Sequence, residues 1–432
     1  MDVISALIIL GVIMVLGFIG NFIFNRTQIP SIVWLLLFGL MVGAFFKVDQ
    51  WQLVYPELLM TISGFFGAIA IVIILFDGGI NTDIYQLFRG APRGLLLTAS
   101  SFFLSFFATI LIVAGLDIAG IIEIQGDRFV VGAVLGAIIG GTSSPIVIPL
   151  VSKLKNLSEK TKMVLSIESI LTDPLCIVVI FAIYYMVFVV GEINIGLGIG
   201  NLVKTFSVGI VLGFFLGFIW LFIMNKLRKE QFSYVLTLAV VFLVYSFTAL
   251  IVGIGEGGEG AGAIACLIFG LVLGNGKKVL KMVNYEGEGF EMDEETKHFH
   301  GLTSFIIRTF FFVYLGMIVS FQNINYILFG IVILIVLLAV RYIIVYISSF
   351  KGNFDRDDKQ TMFVMMPRGL AAAILAIKFG DEFVTRYIPG NEGFFKDVAF
   401  VVILGTAIIT TVGVALIHHY DTKKISEAEA EQ

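Results

Sequence analysis

The sequence predicts an all-α protein that crosses a membrane many times. Three observations carry this. Of the 432 residues, 58% are hydrophobic and only 14% are charged, against roughly 25% charged in an ordinary soluble domain. The apolar residues gather in runs of about twenty, the length at which a helix spans the hydrocarbon core. Within the runs there is none of the polar–apolar alternation that the strands of a membrane barrel require. A soluble fold of this size cannot hide so much apolar surface. That excludes a soluble enzyme, a nucleic-acid binder and a disordered scaffold.

Thirteen spans are predicted, at approximately 4–24, 30–46, 58–77, 94–116, 129–151, 163–190, 196–225, 232–254, 260–275, 301–320, 325–349, 361–379 and 396–418. The first follows Met1-Asp2 with no basic stretch, so it reads as a retained helix rather than a cleaved leader. Nineteen of the 28 lysines and arginines fall on one side of this arrangement and five on the other. Because basic residues stay in the cytoplasm, the N-terminus is expected outside and the C-terminus inside the cell membrane. Residues 1–420 are expected to form the transmembrane domain and 421–432 a short cytoplasmic tail. The longest polar stretch, 283–300, carries six acidic residues and reads as a solvated linker. Net charge is −4, which says less than where the charges lie. Cys176 and Cys266 sit in separate apolar runs and read as small buried residues rather than a disulfide. The four histidines are too few and too terminal to suggest a metal centre, and no cofactor is expected.

Ionisable residues inside spans carry the functional signal, because each costs about 2.5–3.5 kcal/mol to insert and is therefore paired or functional. They are Asp77, Glu168, Asp173, Arg308, Arg341 and Arg368. The strongest cluster lies in the sixth span, Glu168-Ser169-Ile170-Leu171-Thr172-Asp173-Pro174. Asp173 lies about ten residues from the inner end, roughly 15 Å deep, near the middle of the bilayer. Ser169 and Asp173 share one helix face, and Glu168 and Thr172 the adjoining one. Pro174 cannot bond to the carbonyl of Ile170, so an oxygen is released a turn below Asp173. Carboxylate, hydroxyl and carbonyl oxygens together suit a small hard cation, sodium above all.

Two other spans carry interruptions. The fifth holds Gly140-Gly141-Thr142-Ser143-Ser144-Pro145, and the twelfth Pro367-Arg368-Gly369. Helix breaks are expected at Pro145, Pro174 and Pro367. Paired broken helices lining a central site mark secondary transporters with inverted repeats. Spans five and twelve run in opposite directions, as an inverted repeat of spans 4–6 and 11–13 requires. Arg368 needs a counter-charge, and Glu168 lies at comparable depth, so these two are expected to pair. Asp77, in Phe76-Asp77-Gly78-Gly79, reads as a turn or gate residue at the inner end of span three. Arg308 and Arg341 are expected to meet lipid head groups or other helices and receive no transport role.

The pattern resembles the monovalent cation:proton antiporter superfamily, most closely the prokaryotic NhaP-type sodium/proton exchangers. The resemblance covers nearly the whole chain. It rests on the Glu168-Ser169…Thr172-Asp173-Pro174 run and on Pro367-Arg368-Gly369, with support from Phe76-Asp77-Gly78-Gly79 and Gly270-Leu271-Val272-Leu273-Gly274-Asn275. It implies thirteen helices, an external N-terminus and a homodimer. It implies that Asp173 binds cation and proton alternately, and that Glu168 and Arg368 form a structural ion pair. Two positions depart from the family. Ser143-Ser144-Pro145 stands where the fifth helix usually reads Thr-Asp-Pro, and Thr172-Asp173 where the sixth usually reads Asn-Asp. The single remaining carboxylate implies electroneutral, one-for-one exchange.

The expected site is therefore Asp173 with Thr172, Ser169, Thr142, Ser143 and Ser144, taking Na+ or Li+ in exchange for H+. A hydroxyl-rich site with one carboxylate also leaves a potassium/proton antiporter open. The ion-translocating bundle is expected at 94–190 and 325–418, with scaffold and dimer helices at 1–77 and 196–320. Two rival classes are weaker. An intramembrane aspartyl protease needs two facing aspartates, whereas Asp77 and Asp173 lie at different depths. A cation channel needs a ring of oxygens on a symmetric axis, and the sequence offers one carboxylate.

Overall fold

A computed structural model describes residues 3–27, 29–46, 56–154, 157–227, 230, 232–282, 294–319, 323–350, 352–391 and 393–430. Those residues form helices and connections, with no strand among them. In chain order the helices are α1 (Val3–Thr27), α2 (Ser31–Phe46), α3 (Pro56–Ile80), α4 (Ile84–Ile118), α5 (Arg128–Ile139), α6 (Ser144–Lys153), α7 (Glu159–Tyr184), α8 (Ile195–Leu227), α9 (Ser233–Val252), α10 (Gly258–Gly274), α11 (Gly276–Met282), α12 (Glu294–Ile318), α13 (Ile324–Ser349), α14 (Arg356–Val364), α15 (Leu370–Tyr387) and α16 (Phe394–Ala430). A π turn, Tyr185–Val190, extends α7.

Every predicted apolar run falls on a helix or a broken pair of helices. Seven of the described helices are long and apolar enough to cross a membrane, or eight if the bent pair α5–α6 counts as one. Shorter apolar stretches lie at Leu10–Phe24, Ser31–Ala44, Phe65–Ile80 and Gly258–Gly274. Helix ends and hydropathy limits do not coincide. α4 begins at Ile84, ten residues before the predicted span, and α16 continues to Ala430. Hydropathy marks what lipid covers, whereas a helix continues wherever its backbone bonds do. Two expectations need correction. α7 runs through Pro174 without a break, because one lost backbone bond is tolerated inside a packed membrane helix. α12 starts at Glu294, so His298 and His300 are helical rather than part of a loop, and His300 is buried edge-on against Phe76 at 5.0 Å. The acidic stretch 283–293 lies outside the described residues. Cys176 and Cys266 are both buried thiols.

The chain packs as two compact units. One comprises residues 60–89 and 173–308. Its core is apolar and aromatic: Phe76 and Ile80 of α3, Trp220 and Leu221 of α8, Val241 and Val244 of α9, and Ala265 and Phe269 of α10. α3 and α10 touch backbone to backbone. A Cβ on Gly79 would lie 2.2 Å from the Leu267 carbonyl oxygen, and one on Gly274 2.2 Å from that of Ile80. Asn275 closes one end of this contact. Its amide donates to the Thr82 and Leu271 carbonyls at 2.7 and 2.9 Å, and its oxygen accepts from Ile84 N–H at 3.0 Å. Asp77 sits in the last turn of α3, with Asn81 and Ser304 as hydrogen-bond partners and Arg308 as the attracting cation. Beyond the π turn, Gly191 closes α7 in the left-handed region at φ 83°, and the Gly198 backbone packs on Met186.

The other unit comprises residues 1–59, 90–172 and 309–432. It holds α5, α6, α13, α14, α15 and α16 together with most of α4 and the N-terminal part of α7. Its local signals are strong. Asp127 caps α5 by accepting from Phe129 N–H at 2.8 Å, and Asn323 caps α13 by accepting from Asn325 N–H at 3.0 Å. Asp358 is buried and accepts from Ser158, N–H and hydroxyl, at 3.2 and 2.9 Å. That ties the start of α14 to the start of α7.

A substitution at Gly274 tests the backbone contact. Gly274→Ala is expected to lower stability by about 1–3 kcal/mol through overpacking. Gly115→Ala, where nothing lies within 4 Å, is expected to be neutral or slightly stabilising. Thermal unfolding of both variants in one detergent makes the comparison.

Candidate functional site

Two unwound stretches meet inside the second unit. The first, residues 140–143, separates α5 from α6, whose axes differ by 40°. Glycines at 140 and 141 favour neither helix, and Pro145 suits the first turn of α6, where its missing N–H costs nothing. The second, residues 365–369, separates α14 from α15. Pro367 keeps residue 366 out of the helical region. The stretches bond directly: Ser143 N–H donates to the Pro367 carbonyl at 2.8 Å. They also touch at the closest spacing available. A Cβ on residue 369 would lie 2.1 Å from Ser143 Oγ, so only glycine lets the chains cross here.

Breaking a helix strands carbonyls that point past its last turn. Two buried arginines answer them. Arg368 donates through Nη1 to the Gly140 carbonyl at 2.7 Å, and its Nη2 lies 3.4 Å from Ser105 Oγ. Arg341 donates through Nε to the Met362 carbonyl at 2.9 Å and through Nη2 to the Met365 carbonyl at 2.8 Å. A guanidinium at a helix C-terminus also meets the negative end of the helix dipole. Each unwound stretch thus has a fixed cation at its carbonyl-rich end.

The ion pair differs from the expected one. Glu168 pairs with Arg341, not Arg368. Nη2 lies 2.9 Å from Oε2, and Nη1 meets Oε1 on the same carboxylate. Nη1 also reaches Ser101 Oγ at 3.2 Å. Depth alone favoured Arg368, but Arg368 is turned toward Gly140, while α13 brings Arg341 to the Glu168 face of α7. Arg341 meets another helix, one of the two surroundings expected of it, but a lone arginine in an apolar run does not name which partner. Ser101 and Ser105 join the two arginines without standing in any motif. Their i,i+4 spacing on α4, both buried, is the signal that a hydroxyl-bearing face looks inward.

The remaining predicted residues are placed as follows. Thr172, Ser169, Thr142 and Ser143 are buried, as is Ser144 at the start of α6. Thr172 reaches from α7 to the first unwound stretch: its oxygen accepts from Thr142 N–H at 2.9 Å. Its proton has the Thr142 hydroxyl at 3.2 Å and the Thr142 carbonyl at 3.3 Å as partners. Ser169 donates to the Ser166 carbonyl at 3.1 Å, within its own helix. Asp173 follows Thr172 on α7 and is 6% exposed.

The Glu168–Arg341 pair gives a test. Arg341→Met leaves a buried carboxylate and two helix-end carbonyls unanswered, and is expected to cost about 3–5 kcal/mol. Adding Glu168→Gln removes the stranded charge and is expected to restore part of the loss. Melting temperatures of the two single variants and the double variant measure it; strict additivity would contradict the pairing.

Comparison with known proteins gives the family. The family model "Sodium/hydrogen exchanger, transmembrane" matches residues 11–418. The chain is 26% identical over 430 residues to Na(+)/H(+) antiporter 1 of Methanocaldococcus jannaschii, covering 96% of this chain and 94% of that protein. It is 24% identical over 410 residues to K(+)/H(+) antiporter NhaP of Alkalimonas amylolytica, covering 92% of this chain and 63% of that protein. The fold matches the solved structure of the sodium proton antiporter MjNhaP1 from Methanocaldococcus jannaschii at pH 8 with a TM-score of 0.72 and 24% identity, over 96% of this chain and 99% of that one. With its family model matched over most of its length and two broken helices crossing at their unwound centres, the chain belongs to the sodium/hydrogen exchanger family.

Proposed function

We propose that the protein is a secondary active transporter that exchanges Na+, and Li+ with it, for H+ by competition at Asp173. The observation that carries this is the Ser143–Pro367 crossing, with Thr172, the residue before Asp173, holding the first unwound stretch. Unwound backbone deep in a membrane protein is tolerated where it is buried in protein or lines a cavity, and transporters build ion sites from it. Asp173, Thr172, Ser169, Thr142, Ser143 and Ser144 are the proposed oxygen donors. The Glu168–Arg341 pair takes the structural role, and Arg368 the role of fixing the crossing.

The chemistry follows from one carboxylate. A cation favours the ionised form and a proton the neutral form, so each displaces the other. Neutralised by either, the group can change sides; bare, it is costly to move through a low-dielectric interior. Exchange is then obligatory and electroneutral, without a separate coupling device. The reading includes thirteen spans, with spans 4–6 and 11–13 as an inverted repeat. It takes 94–190 and 325–418 as the moving bundle and 1–77 and 196–320 as scaffold. It also takes a homodimer in the cell membrane, with the N-terminus outside and the C-terminus in the cytoplasm.

Potassium is the second reading. The relative from Alkalimonas amylolytica is named a K(+)/H(+) antiporter, and Ser144 leaves this site one carboxylate poorer than the family pattern.

Asp173→Asn is expected to fold normally and to lose exchange by at least about a thousandfold, because the amide cannot take up and release the proton. Cation-induced proton movement in proteoliposomes measures it, and substantial coupled flux in the variant would sink the mechanism. In the same vesicles, Na+ and Li+ are expected to dissipate an imposed pH gradient and K+ to leave it standing. Equal or faster dissipation by K+ moves the assignment to potassium.

A further inference from the structure

The second unwound stretch has backbone groups that the arginines do not reach, and α16 meets two of them. Arg368 N–H donates to Thr406 Oγ1 at 2.9 Å. One turn along, Thr410 Oγ1 donates to the Val364 carbonyl, the last of α14, at 2.9 Å. One further turn on, Gly413 lets the helices close, since a Cβ there would lie 2.4 Å from Val364 Cγ1. Residues 406, 410 and 413 share one face of α16. They run antiparallel to residues 368 to 364, so this face docks the end of α14 and the start of α15 together.

The two hydroxyls have opposite polarities, and each is fixed by its surroundings. Thr406 spends its proton within its own helix, on the Val402 carbonyl at 2.7 Å with Ile403 at 3.1 Å. Only a lone pair remains for Arg368 N–H. Thr410 spends its proton on Val364. One threonine therefore supplies an acceptor to the Arg368 N–H, and the other a second donor to the Val364 carbonyl, which also accepts from Met366 N–H at 2.9 Å. Both residues are fully buried, at 0% exposure. The first stretch is held the same way, by Thr172 of α7 on Thr142 N–H. Each unwound stretch thus rests on a threonine of a neighbouring helix, whose oxygen takes its N–H.

We propose that Thr406 is a positioning residue for exchange. By holding the Arg368 peptide it aims the guanidinium at Gly140 and keeps residues 367 and 369 against Ser143, which fixes the crossing. It touches neither ion and acts through Arg368. This rests on the exchange reading above, and the test separates the two.

Two measurements are made on the full chain in proteoliposomes and nanodiscs, for wild type, Thr406→Val, Thr406→Ser and Thr410→Val. The first is amide hydrogen exchange of the peptide spanning 364–370, which needs no transport. The second is the Na+ concentration giving half-maximal proton movement. Thr406→Val keeps shape but strands a buried N–H, so its half-saturating Na+ is expected to rise about tenfold, with maximal rate changed less. Amide exchange over 364–370 is expected to quicken in the same variant. Thr406→Ser keeps the oxygen and is expected to return both readouts to within about twofold of wild type. Thr410→Val is expected to quicken amide exchange over the same peptide, and it stands in if Thr406→Val does not fold. Wild-type half-saturation in Thr406→Val, or equal impairment of the serine and valine variants, overturns the proposal. Wild-type protein that moves no protons with any cation overturns the exchange reading instead, and leaves the amide-exchange result to judge the docking.

Discussion

An interrupted helix inside hydrocarbon leaves up to four carbonyls and four N–H groups without partners at the break, and lipid supplies none. Among the described residues, two such breaks come into contact. The rest of the second unit follows from the need to answer those groups. Arg368 takes the carbonyl end of α5, Arg341 that of α14, Thr172 an N–H of the first stretch and Thr406 an N–H of the second. Ser143 and Pro367 answer one another. These hydrogen bonds answer much of what the two breaks leave open, and the irregular backbone is held by them.

Burying two arginines is expensive, and bonds to helix-end carbonyls offset part of the cost for each. Arg341 meets a carboxylate, a hydroxyl and two carbonyls, so charge and donors are both satisfied. Arg368 places its charge on the negative end of a helix. Removing one partner from such a set leaves the others stranded, which is why single substitutions here are felt more than the pairwise energies imply. Glu168 accordingly serves α14 through Arg341, one residue type answering another that answers the backbone.

Much of the fold is legible in the sequence because hydropathy and helix length are tied to bilayer thickness. The apolar runs, the buried cysteines and the interruptions at Gly140-Gly141 and Pro367-Arg368-Gly369 all announce themselves by composition. The partners do not. Depth along a helix can be counted, but azimuth depends on how neighbouring helices pack, and azimuth decided that Glu168 meets Arg341. The same limit hides Thr406 and Thr410, since threonine is common in membrane helices and only contact with an unwound backbone gives it work. Pro174 misleads for another reason. A proline removes one bond, and whether the helix ends there depends on the packing around it, which left α7 intact.

The π turn at the C-terminal end of α7 has a separate consequence. A π turn is an α-helix carrying one surplus residue, and each residue of an α-helix advances the side chains by about 100°. Residues after Tyr184 are therefore out of the α register that Glu168, Thr172 and Asp173 share. Their facing is set by their own contacts, the left-handed Gly191 that closes the turn and Met186 seated on the Gly198 backbone. A face counted by i,i+4 steps from Asp173 ends at Tyr184, and a count carried past it names the wrong side chains.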